Sequence, residues 1–330
     1  MNRILSAFAG AAMLLLCAQP AAANLTITPT FAASITSDPN AAAIEATINA
    51  AILVYETTFS NAIDVPILFQ ASNSGLGSSA FSLFDVSYAA YSTALFNNAH
   101  TTLNANQLAA VAANPVAALN PVTNTNDILM KCATIDAVFG SGSSGCASAG
   151  TITLNTSLTT PGTTGTSSQY SLLAVTEHEI NEILGLGSTL GLAISGFTCG
   201  SAPTRGPCSN VPSPEDLFRY TSGGARSFTT NTSARAFFSI NGTTDLAEFN
   251  NQSSGADYGD WRSNPLPSGA SPQVQDAFAT AGASPTLGIN EITALNVIGY
   301  NLIPAPEPGT AVLLIAGVAG LLGLRRRRGI

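Results

Sequence analysis

From Asn24 to Phe31 polar and apolar residues alternate, as in Leu25-Thr26-Ile27-Thr28, which is the period-two pattern of a strand with one buried face. Asp38 or Asn40 then supplies a polar N-cap for Ala41 to Thr57, where Ile44, Ile48, Ile52 and Tyr55 recur at helical spacing. Ile63 to Gln70 reads as a buried strand. Pro66 has no N–H to give to a ladder, so it predicts an edge position or the start of that strand. Helices follow over Val86 to Phe96 and Ala105 to Ala113, and Ala149 to Thr156 alternates again as a strand. A Thr/Gly/Ser-rich loop from Ser157 to Ser168 leads into a helix over Gln169 to Leu184, which Gly185 closes. Further on, Ala236 to Ile240 and Asp245 to Phe249 flank Asn241-Gly242, a pair that favours a tight hairpin. No repeat of fixed period is present.

The helix over Gln169 to Leu184 concentrates the candidate chemistry. His178 is one of only two histidines, the other being His100 in an Asn/Thr loop. At 3.6 residues per turn His178 and Glu182 project from one face, with Glu179 about 100° round. In the H-E-x-x-H arrangement two histidines four residues apart hold Zn²⁺, and the glutamate after the first takes a proton from the attacking water. Here Glu182 stands at the second histidine position. A lone helix histidine is most often structural, and Gly185, Ile180, Ile183 and Leu184 are what any buried helix carries. The carboxylates weigh more: Glu177, Glu179 and Glu182 fall within six residues of a chain that is only 9% charged, and burying them calls for a cation.

Because no histidine lies downstream, any further ligand must be a carboxylate. Ser213 to Tyr220 offers Glu215 and Asp216; Gly255 to Trp261 offers Asp257 and Asp260. Asp216 is the first choice for a third ligand. The ordinary readings are a helix start with acidic residues near its N-terminus and a turn pinned by Trp261. Tyr220, Tyr258 and Arg219 are candidates to steady an oxyanion, though each residue type more often packs or faces solvent. A Ser-His-Asp hydrolase finds no G-x-S-x-G here, and no calcium loop or phosphate-cradling glycine loop is present.

The two ends of the 330-residue chain set the compartment. Arg3, the apolar run Ile4 to Cys17 and the small residues Ala21-Ala22-Ala23 predict a signal peptide over 1–23, cut after Ala23. Leu16 before Cys17 argues against lipoprotein processing. The body, 24–304, reads as one domain in two lobes, about 24–187 and 188–304. Its four cysteines, Cys132, Cys146, Cys199 and Cys208, predict two disulfides; local pairs are favoured, because each brackets a Gly/Ser/Pro-rich loop. The body carries a net charge of −12, which repels nucleic acid and anionic lipid. Lys131 is the sole lysine, leaving Schiff-base chemistry almost nowhere to occur.

Two resemblances extend this reading. His178-Glu-Ile-Asn-Glu-Ile-Leu-Gly-Leu-Gly-Ser188 is similar to the metzincin pattern H-E-x-x-H-x-x-G-x-x-H, with Gly185 on the glycine and Ser188 on the third histidine. Pro304 to Gly309, the apolar stretch 310–324 as a short transmembrane segment, and the Arg325 to Arg328 block resemble the PEP-CTERM sorting signal of Gram-negative bacteria. Together with Pro214 to Tyr220, Phe237 to Gly242, Asp257 to Trp261 and Ala294 to Tyr300, these motifs resemble a family of exported PEP-CTERM proteins classed as metalloproteases.

The resemblance implies an α+β, zincin-like domain with a mixed twisted sheet, a metal-site helix and a smaller C-terminal lobe. The last strand before the site helix is then expected to run along the cleft. It also implies Zn²⁺ or another divalent cation and a peptide or protein substrate, with Glu179 as general base; joined to the reading of the carboxylates, the expected ligands are His178, Glu182 and Asp216. Two departures matter. No methionine follows the site helix, so Ala294 to Tyr300 is the candidate floor in place of a Met-turn. Oxygen in place of two imidazoles also weakens the preference for zinc. Signal peptidase and an exosortase are the implied processing partners, with exopolysaccharide a further one; the membrane is met only through the tail. The implied location is secreted or cell-surface, after transient anchoring in the inner membrane. The alternative of another class is a non-catalytic surface or biofilm-matrix protein on the same scaffold.

Overall fold

The computed structural model describes residues 24–162, 165–191, 198–199, 206–207, 211–251 and 256–304. The expected signal peptide, the sorting tail and the Cys199–Cys208 pairing lie outside them. Among the described residues no helix is long and apolar enough to cross a membrane.

In chain order the first half comprises β1 (Thr26–Phe31), α1 (Ala33–Thr36), α2 (Ala41–Glu56), β2 (Asp64–Ala71), β3 (Gly77–Ala80), β4 (Leu83–Ser87), α3 (Tyr88–Thr102), α4 (Ala105–Ala113), β5 (Asp127–Lys131) and α5 (Cys132–Phe139). Then come β6 (Gly150–Leu154), β7 (Thr159–Thr160), β8 (Tyr170–Ser171) and the site helix α6 (Leu172–Leu184). The short strands β9 (Thr198–Cys199) and β10 (Gly206–Pro207) pair with each other. β11 (Arg219–Tyr220), β12 (Phe237–Phe238) and β13 (Ala247–Glu248) form a small antiparallel sheet, and α7 (Ile289–Ile298) closes the fold. The architecture is α+β.

The main sheet runs β1-β2-β6-β3, with the first three strands parallel and β3 antiparallel. The sheet is thus mixed, as expected. Pro66 nevertheless sits in an interior strand. It is tolerated because its carbonyl accepts the Ala149 N–H just before β6 begins, so its missing donor faces the point where the neighbouring ladder starts. The strand expected over Ala149 to Thr156 forms β6, which is interior to the sheet; β3 is the edge strand beside α6, and the two-residue β8 intervenes directly before the helix.

α2 buries Ile44, Ile48, Ile52 and Tyr55 on the predicted face and packs alongside α6. The helix expected from Val86 to Phe96 begins at Tyr88, because Val86 and Ser87 are used in pairing β4 with β5 and the Ser87 side chain caps it, and it runs on to Thr102, so His100 lies in its last turn and not in a loop. Likewise α6 begins at Leu172 rather than Gln169, since Tyr170 and Ser171 pair with β7 and Ser171 accepts the Ala174 N–H at 3.3 Å. Gly185 ends it at φ +134°, a backbone region that favours glycine. The core is continuous across both expected lobes, from Ile27, Tyr55 and Ile152 through Ile180 to Phe238, Trp261 and Leu295. The expected Cys132–Cys146 disulfide is formed.

Candidate metal centre

α6 is buried along most of its length, and its one open face carries the chemistry. His178 and Glu182 are 17% and 16% exposed, with His178 Nε2 3.6 Å from Glu182 Oε1. The third group is Asp260, on the segment after β13, whose Oδ1 lies 3.8 Å from His178 Nε2. These three side chains each offer a ligand atom within 4.8 Å of the others. The donor set of one imidazole nitrogen and two carboxylate oxygens suits a divalent cation of borderline or hard character.

Each donor is held from behind. His178 Nδ1 donates to the Val274 carbonyl at 2.9 Å, which turns Nε2 toward the carboxylates, as is usual for a ligating histidine. Ser79 of the edge strand donates to Glu182 Oε2. Gln275 Nε2 donates to Asp260 Oδ1 (2.9 Å), while Gln275 Oε1 accepts from Asn181 (3.0 Å). Tyr55 of α2 extends the chain, its hydroxyl 2.8 Å from Asn181 Oδ1 and 2.6 Å from the Glu177 carbonyl. Trp261 anchors the Asp260 segment by donating to Glu291 of α7 at 3.0 Å. At the far end of α6, Lys131 Nζ donates to the carbonyls of Glu182 and Leu186, both at 2.6 Å, and so caps the helix C-terminus with a positive charge.

Glu179 lies beside the triad at only 4% exposure, and its Oε2 has no hydrogen-bond partner among the described residues. Burial, reinforced by Glu182 and Asp260, outweighs the His178 charge and pushes its carboxyl up to about 8. Burial likewise carries Asp260 to about 8. Glu182 goes the other way: burial is outweighed by the His178 hydrogen bond and charge, which hold it at about 2. The carboxylates, Asp260 foremost, raise His178 well above the usual imidazole range against the effect of its own burial.

Asp216, the first choice for a third ligand, belongs to a different place. Its oxygens accept from Ser188 Oγ (2.5 Å), the Thr189 N–H (3.1 Å) and the Ser213 N–H (2.9 Å), so it pins the turn after the site helix to Ser213. Its partner Ser188 is the residue at the third-histidine position, which thus acts as a structural donor. Glu215 accepts the Gly187 N–H, and Asp257 accepts the Ser188 and Gly259 N–H groups, both fixing the same turn. Arg219 is fully buried, donating to the Tyr258 carbonyl and Asn251 and lying over the Phe249 ring, while Tyr220 faces Arg226. Ala294 to Tyr300 falls largely on α7; Tyr300 donates to the Leu184 carbonyl at 2.7 Å and supports α6 from below.

Val274 and Gln275, which orient two of the three donors, carry no charge and stand in no motif, so nothing in the sequence marks them. Asp260 was legible as one of four acids. Its distinguishing sign is the adjacent Trp261, a large buried anchor. Compared with models of known protein families, with curated proteins and with solved structures, the chain matches none.

Proposed function

We propose that this chain is an exported metallopeptidase on a zincin-like scaffold, in which His178, Glu182 and Asp260 hold a divalent cation and Glu179 is the general base. The observation that carries the reading is the convergence of Asp260, from a distant segment, on the His178/Glu182 pair, beside a buried carboxylate with an unpartnered oxygen. Bound there, Zn²⁺ or a related ion would polarise the scissile carbonyl and acidify the attacking water. Burial holds the Glu179 carboxyl up at about 8; a cation bound on its neighbours would favour the ionised form, and that carboxylate would take the proton and return it to the leaving amine. Val274 and Gln275 keep His178 and Asp260 aimed while the proton moves. Export by signal peptidase, exosortase trimming near Pro306-Glu307-Pro308 and display at the cell surface complete the proposal.

The test is Glu179→Gln in the secreted protein. Peptide cleavage should fall by about 10²- to 10⁴-fold, the usual share of a general base, while bound metal stays at the wild-type level. One observation favours a second reading: at 3.6 and 3.8 Å a protonated His178 pairs with both carboxylates, satisfying the site with no cation. On that reading the chain is a non-catalytic surface or exopolysaccharide-matrix protein, and Glu179→Gln changes neither metal content nor binding to the matrix.

A further inference from the structure

Beside His178 and Glu179 a hollow of about 140 Å³ opens between α6, the start of β3 and the segment 272–285. Its size is close to that of a cavity of about 150 Å³ that holds a benzene ring, so it takes one side chain. Tyr170, Ala174, Val175, Val274 and Ala277 make apolar walls. The charged groups on its lining, His178 apart, are the carboxylates of Glu179 and Asp276, and no lysine or arginine faces it among the described residues.

Asp276 is the unusual member. It is 5% exposed; its Oδ2 accepts the Gln273 N–H at 2.9 Å, and its Oδ1 has no hydrogen-bond partner among the described residues. A buried carboxylate oxygen with no donor costs free energy that a ligand carrying a donor would recover. Burial pushes Asp276 up to about 7, so an incoming cation would also settle it in its ionised form. Its position is locked to the metal triad. The two residues before it orient His178 and Asp260, and Asp276 itself bridges to Trp261.

We propose that this hollow reads a substrate side chain next to the scissile bond and selects a basic one, its aliphatic stem along the Val175 and Val274 walls and its cationic tip on Asp276. The inference rests on the peptidase reading and names the substrate class for that site.

The experiment separates binding from turnover. Fluorescent hexapeptides differing only in lysine against norleucine, an isostere of the stem without the charge, are titrated into the exported, Zn²⁺-supplied Glu179→Gln chain and followed by anisotropy. The lysine peptide should bind about tenfold more tightly, the order expected of one hydrogen bond to a charged group. Asp276→Asn should erase the difference while leaving norleucine binding unchanged. Equal binding of the two peptides, or preference for norleucine, overturns the specificity and leaves the peptidase reading standing. Failure of both peptides to bind, together with no cleavage by the unaltered chain, removes both. The two-peptide comparison on the Asp276-containing chain decides the matter even if Asp276→Asn does not fold.

Discussion

Glu179 and Glu182 stand three residues apart on one helix, yet their carboxyls are driven in opposite directions, to about 8 and about 2. The difference lies in their partners. Glu182 meets His178 and the Ser79 hydroxyl, while Glu179 is surrounded by burial and like charge. On the proposed reading that division assigns the cation to Glu182 and proton transfer to Glu179. Gly77 makes room for it, since a Cβ there would overlap the Glu179 carboxylate and press on Val175. Gly77→Ala is therefore expected to lower kcat/KM at least tenfold and to cost about 1–3 kcal/mol by overpacking, measured by peptide hydrolysis and urea melts. Unchanged kinetics would show that Glu179 is not held where the mechanism needs it. At this scale the sequence was legible where side-chain period alone decides, as for His178, Glu179 and Glu182. It was ambiguous for the third candidate ligand, because Asp216 and Asp260 both sit beside apolar anchors. What separates them is tertiary: three Ser and Thr residues saturate Asp216, and Gln275 turns Asp260 toward His178.

Among the elements, α5 and β5 tie the back of the site together. Lys131 ends β5 and caps α6, and the next residue, Cys132, is bonded to Cys146 across 14 positions. Closing a loop of that length is worth about 3 kcal/mol. Cys146→Ser, or reduction of the native chain, should lower the melting temperature by several degrees in a thermal scan; an unchanged midpoint would show that the bridge constrains little. α2, α4, β1 and β6 could be read from periodicity; around Asn241-Gly242 an antiparallel pair does form, but as the short β12 and β13 joined by the longer loop 239–246 and not by a tight turn. β3 and β5 could not be read so, because Gly77-Ser-Ser-Ala80 carries no apolar alternation and Asp127 to Lys131 is buried at every position, which hides the period of two. The sheet edge beside α6 was hidden for that reason: β3 becomes an edge only by turning back antiparallel on β6, a topological fact that no local pattern records.

The whole molecule stores ionisable groups against their preference, which sets its response to pH. Glu177 and Asp276 are raised to about 7, and Glu179 and Asp260 to about 8, burial being the leading cause in each. Carboxyls whose folded pKa exceeds the unfolded one bind more protons in the folded state between those values. Their stabilisation is therefore complete below about pH 4, the unfolded range, and is lost as pH rises through 7 and 8. Chelator-treated protein should melt at a higher temperature at pH 5 than at pH 8.5, and a flat or opposite profile would contradict the burial of these groups. Added Zn²⁺ should reverse the trend, because deprotonated ligands bind it better and the folded state gains that binding energy. The most direct test of the central claim is calorimetric titration of Zn²⁺ into the chelator-treated secreted chain and its Asp260→Asn variant at pH 7.5. One ion is expected per unaltered chain, with at least a tenfold loss of affinity in the variant. No heat of binding by the unaltered chain, or equal affinity in the variant, would contradict that claim.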